Sequence, residues 1–210
     1  MVNLNKAYKM MDVEGSGAKP RSRWTQKCAM ALIKLLGWKI NNAADSTIAQ
    51  KAVVAFAPHT SNWDFIYGML FKLSHPDVPL RFAIKKEVMF FPLSYLMKML
   101  GAIPIDRNQI TKRTNMVAVM AEMLHQADAL MLVIAPEGTR SHVKRWKTGF
   151  YRLAEAANVP IILGYINYAK KEFGLGPIFH RTGNMEQDIG SIQDFYRKIP
   201  GKYPEKEVVE

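Results

Sequence analysis

The chain has 210 residues, enough for one domain with a sizeable core, and its 49% hydrophobic and 22% charged residues are ordinary for a globular protein. Twenty-nine Lys and Arg against eighteen Asp and Glu leave a formal charge of +11, which implies an anionic partner: nucleic acid, an acidic membrane surface or a phosphorylated substrate. Cys28 is the single cysteine, which excludes an intrachain disulfide and a multi-cysteine metal site.

Residues 1–20 are polar, carry no apolar run and form an expected flexible leader rather than a secretory signal. Residues 21–40 predict an amphipathic helix. Trp24, Cys28, Ala31, Leu32, Leu35 and Leu36 share a face, Arg21, Arg23, Lys27, Lys34 and Lys39 surround it, and Gly37 is the stop. Such a helix either lies in a membrane interface or packs on the domain's own core. The runs Trp24 to Ile40 and Val88 to Ile103 are interrupted by lysines, the second also by Pro92, and fall short of the roughly 20 clean apolar residues of a spanning helix.

The body of the domain is expected over 41–200. KAVVAFAP reads as a buried strand, followed by HTSNWD and a helix over FIYGMLFKL. LRFAI is a second strand, Lys85 to Leu100 predict a helix broken near Pro92, and AIPIDR is extended after Gly101. Residues 111–127 predict a helix whose Met116, Val119, Met120, Met123 and Leu124 face the core. ALMLVIAP is a third central strand ending at EGTRS, KTGFYRLAEAAN a helix, and VPIILGYINY a fourth strand. A turn at Gly174 and Gly176, a helix over Asp188 to Ile199 and a polar tail over 201–210 complete the reading. Strands alternating with helices predict an α/β fold, with a mostly parallel central sheet flanked by helices.

In such sheets, sites form at the carboxyl ends of strands, and HTSNWD and EGTRS occupy two such ends. A turn can bring Asp64 beside the His59 imidazole, fixing its tautomer so that the other nitrogen takes a proton from a hydroxyl. The alternative is a histidine bonded to a nearby turn. No G-x-S-x-G elbow is present, so a His–Asp pair without its own nucleophile points to the substrate as nucleophile. Backbone N–H groups near the helix start are expected to stabilise the tetrahedral oxyanion. In PEGTR, Gly138 permits a tight turn, Arg140 offers a fork for phosphate oxygens, Thr139 adds a hydroxyl, and Glu137 orients the arginine or bonds an acceptor hydroxyl. A solvated turn with a local Glu–Arg pair is the structural alternative.

Four blocks in order, HTSNWD, GAIPIDR, PEGTRS and Val159–Pro160–Ile161, resemble the glycerolipid acyltransferase family. Its best-known members are the lysophosphatidic acid (1-acylglycerol-3-phosphate) acyltransferases. Ala135 stands where that family has phenylalanine, and the short chain resembles a compact bacterial branch. The resemblance implies His59 as general base with Asp64 its partner, and Lys85 (or Lys86), Arg107, Glu137, Gly138, Thr139 and Arg140 as the acceptor-binding set. It implies acyl-CoA or acyl carrier protein as donor, no bound cofactor, no metal, and peripheral attachment to the cytoplasmic side of a membrane. An acceptor such as a lyso-ornithine lipid is an alternative. A non-catalytic protein binding anionic lipid or nucleic acid is a more remote one, and no nucleic-acid motif is present.

His75, His125, His142 and His180 share no metal-like spacing and read as surface or packing residues, with His142 close enough to Arg140 to touch substrate. Arg145, Trp146 and Lys147 can meet phosphate, or Trp146 can pack on the core. Phe90, Phe91, Leu93, Leu96 and Leu100 can line an acyl channel or pack ordinarily.

Overall fold

The computed structural model describes residues 23–42, 50–85, 101–105 and 116–207. The elements are α1 (Arg23–Leu35), β1 (Lys39–Asn42), β2 (Lys51–Phe56), α2 (Trp63–Ser74), β3 (Leu80–Lys85), β4 (Ala102–Ile105), α3 (Met116–Gln126), β5 (Leu130–Ile134), α4 (Gly149–Ala156), β6 (Ile161–Asn167), β7 (Glu172–Phe179) and α5 (Met185–Tyr196), with a short 3-10 turn at Pro204–Lys206.

The seven strands form one sheet in the order β1-β7-β6-β2-β5-β3-β4, and every pairing is parallel except β6 with β7. This is the α/β architecture expected from the alternation of elements. The central strands carry apolar residues at nearly every position because both faces are covered. Alternate residues of β2 go to opposite sides: Val53 and Ala55 join a core built with α3, α4 and α5, while Ala52 and Val54 join one built with Ile33 of α1 and Leu70 and Phe71 of α2. The methionine stripe of α3 is core, with Met120, Met123 and Leu124 buried against the sheet.

The expected turn at Gly174 and Gly176 is instead the interior of β7. Both glycines are needed for close approach: a Cβ on Gly174 would lie 1.8 Å from the Asn41 carbonyl oxygen, and one on Gly176 would lie 2.6 Å from that of Leu163. The chain reverses earlier, between Asn167 and Glu172, and β7 then bridges β6 and β1.

Helix α1 forms where expected but with a different inner face. It packs through Ala29 and Ile33, whereas Trp24 (73% exposed), Cys28, Ala31, Leu32, Leu35 and Leu36 stay exposed. No helix among the described residues is long and apolar enough to cross a membrane. The 201–207 part of the expected polar tail folds back on the domain, with Tyr203 N–H donating to Thr60 Oγ1 (3.2 Å) and Gly201 N–H to Glu207 Oε1 (2.6 Å). The expected leader, the 85–100 helix beyond Lys85 and the 111–115 start of the next helix fall outside the described residues.

Candidate active site

Strands β2 and β5 are parallel neighbours in register, with Ala55 opposite Ile134. Their carboxyl ends therefore release two loops side by side, and this brings together two motifs 78 positions apart. After β2 come the cis Ala57–Pro58 peptide, His59 and the short run into α2. After β5 come Ala135, Pro136 and a turn closed by Gly138 N–H to the Ala135 carbonyl (3.0 Å), where Gly138 adopts φ +68°. That φ favours glycine, and a Cβ there would also lie 2.7 Å from Lys147 Nζ.

His59 Nδ1 lies 3.0 Å from Asp64 Oδ2. The His59 side chain is 25% exposed and Asp64 is buried, 2% exposed. A carboxylate this buried requires donors. Besides the imidazole, the Ser61 N–H donates to Oδ2 (2.9 Å) and the Tyr168 hydroxyl to Oδ1 (2.6 Å). With Nδ1 facing the carboxylate, Nε2 is the ring nitrogen left to exchange a proton.

Several N–H groups at the start of α2 already have internal acceptors. Ser61 donates to Asp64 Oδ2, Trp63 to Ser61 Oγ (3.2 Å), Asp64 to the Ser61 carbonyl (3.4 Å) and Phe65 to the Asn62 carbonyl (3.2 Å). These four hydrogen bonds hold the loop's shape.

Glu137 points inward. It is 4% exposed, and its Oε2 accepts the His59 backbone N–H at 2.8 Å. Burial pushes its carboxyl up to about 7; the His59 N–H and imidazole oppose this, while Asp64 and Glu207 add to it. Glu137 thus ties one motif to the other through its Oε2. Arg140 makes a second tie, donating through Nη1 to Asn62 Oδ1. The Thr139 hydroxyl accepts from Ser141 N–H (3.3 Å) within its own turn. Lys85 ends β3, its side chain outside the described set, and Arg107 lies outside the described residues altogether.

The other four histidines sit as packing or surface groups, with His142 and His180 exposed. His75 stacks on Phe71 at 4.8 Å and pairs with Ser74 Oγ (2.9 Å), its proton affinity lowered by burial. His125 Nε2 lies 3.3 Å from the Ala156 carbonyl oxygen. Trp146 packs on the core beside Phe150 and Tyr196.

Among the described residues, His59, Asp64, Asn62 and Arg140 border a cleft of about 810 Å³ whose walls include Phe56, Phe65, Met69, Phe71, Phe82 and Ile166. The residues 90–100 expected to line an acyl channel lie outside the described set. The apolar walls found here come from β2, α2, β3 and β6, whose inward faces no short motif marks.

A family model described as Acyltransferase matches residues 39–165, which spans β1 to β6 and both loops of the site. The chain belongs to this acyltransferase family. Over 130 residues it is 30% identical to a protein of Mycoplasma genitalium and 29% identical to one of Mycoplasma pneumoniae, each named "Probable 1-acyl-sn-glycerol-3-phosphate acyltransferase". Those alignments cover 60% of this chain and 48% of each relative, so the chain matches about half the length of these curated relatives.

Proposed function

We propose that the protein transfers a fatty acyl group from acyl-CoA or acyl carrier protein to a hydroxyl of a lysophospholipid-type acceptor, 1-acylglycerol-3-phosphate being the acceptor the relatives' names favour. The observation that carries this reading is the 3.0 Å His59–Asp64 contact at the edge of a large apolar cleft beside Arg140.

His59 Nε2 takes the proton of the acceptor hydroxyl as its oxygen attacks the thioester carbonyl. The tetrahedral intermediate collapses, the C–S bond breaks, and the imidazolium returns the proton to the departing thiolate. The products are the ester and a free thiol, with Asp64 stabilising the transient imidazolium throughout. The cleft volume lies within the roughly 300–1,000 Å³ of small-ligand sites, and its walls suit an acyl chain. Arg140, with Lys85 at the end of β3 and Arg107, supplies the cationic set for the acceptor phosphate. The exposed Trp24, Leu32 and Leu35 of α1, flanked by Arg23, Lys27 and Lys34, support peripheral attachment to the cytoplasmic face of an anionic membrane.

The test is thiol release from a long-chain acyl-CoA, and then from acyl carrier protein, with lysophosphatidic acid, with a lyso-lipid lacking phosphate, and with no acceptor. Release that requires lysophosphatidic acid and disappears in His59→Ala is expected. Equal release with the phosphate-free lipid moves the acceptor class to another amphiphile, and undiminished release in His59→Ala refutes the base.

A further inference from the structure

Asp64 carries more than the His59 contact. Its Oδ2 accepts from within its own loop, but its Oδ1 accepts from the Tyr168 hydroxyl at 2.6 Å, from a residue 104 positions away. Tyr168 follows β6, which runs parallel to β2, so it emerges at the same end of the sheet as His59. It also lies beyond the span 39–165 that the family model matches.

The ring is held on several sides. It meets Trp38 edge-on at 5.3 Å and Tyr67 edge-on at 5.9 Å, and its backbone N–H donates to the Pro200 carbonyl (3.3 Å). Burial raises the phenol's proton affinity, and the hydrogen bond and charge of Asp64 raise it further, so the hydroxyl stays a donor across the working pH range. The titratable groups around the pair are His59 in the same loop, Tyr67 on α2, Glu137 after β5 and Tyr203 in the C-terminal segment.

We propose that Tyr168 is a positioning residue for the acyl transfer: its hydroxyl locks the Asp64 carboxylate and so holds the His59 imidazole with Nε2 available to the acceptor. This rests on the function proposed above. A buried carboxylate with one oxygen unpartnered would turn to find a donor, and Oδ2 would leave its line with Nδ1.

Tyr168→Phe keeps the ring packing and removes only the hydroxyl. The expected result is a fall in kcat of about tenfold to a hundredfold, the worth of one hydrogen bond to a charged group. KM values for donor and acceptor should stay within about twofold, because the hydroxyl touches neither substrate. A purely structural role for the ring would be met by phenylalanine, so wild-type kcat in this variant overturns the proposal. A second readout does not depend on turnover: 15N spectra of the His59 imidazole, assigned by comparison with His59→Gln. Tyr168→Phe should broaden or displace the Nδ1–H signal, and an unchanged signal overturns the proposal even if no thioester proves to be a substrate. Absence of transfer by the wild type, with a displaced signal in the variant, would refute the assigned reaction while leaving the hydrogen-bonded chain intact.

Discussion

Replacing Glu137 with glutamine isolates the inward carboxyl that joins the two motif loops. In the folded chain its affinity for a proton is raised from the ordinary 4.5 to about 7, chiefly by burial. Between those values the folded state binds more protons than the unfolded one, so this group's contribution to stability is fullest below about 4.5 and is lost as pH rises to about 7. At about 1.4 kcal/mol per pH unit, the window carries at most roughly 3.5 kcal/mol. Glutamine keeps an oxygen for the His59 N–H. Its amide then faces the small cavity, about 40 Å³, lined by Glu207, Tyr196 and Trp146, and that cavity can hold a water as its partner. Urea denaturation of wild type and Glu137→Gln, followed by tryptophan fluorescence, should give similar stabilities near the acid end. Near pH 8 the variant should be the more stable by about 1–3 kcal/mol. Glu207, also raised by burial, contributes to both curves, and its repulsion of the Glu137 carboxylate is part of the difference between them. Parallel stability–pH curves for the two proteins would refute the buried-carboxyl argument.

His59→Ala should lower acyl transfer by about a hundredfold to ten-thousandfold, the usual span for a lost general base. Asp64 keeps Ser61 and Tyr168 as donors, so circular dichroism should show an intact fold. Arg140→Ala should raise KM for a phosphate-bearing acceptor by about tenfold or more and leave a phosphate-free one nearly unchanged, as steady-state kinetics on both would show. Gly138→Ala forces a side chain onto a backbone at φ +68° and against Lys147, and thermal melts should show a loss of about 1–2 kcal/mol. Gly174→Ala collides with the Asn41 carbonyl and should detach β1 from the sheet, read as faster amide exchange at residues 39–42.

Much of this molecule was legible along the chain, because the deciding physics is local. Nearly continuous apolar runs marked β2, β5 and β6, and helical periodicity marked α2, α3, α4 and α5. The chemistry of a histidine and an aspartate five positions apart needs only one loop, and the structure closes that contact within hydrogen-bonding distance.

What only tertiary structure decided involves partners far apart in sequence. Gly174 and Gly176 look like turn residues until Asn41 and Leu163 are seen passing where their side chains would be. The apolar residues of α1 specify a stripe, but the surfaces of α2 and the sheet select Ala29 and Ile33 as the buried side and leave that stripe outward. The sequence suggests Arg140 or an acceptor hydroxyl as partners of Glu137, and only the register of β2 against β5 shows that it accepts the His59 amide. Tyr168 carried no motif at all. Its meeting with Asp64 depends on β6 lying beside β2, and strand order is set by the packing of whole faces, which no short window of sequence contains.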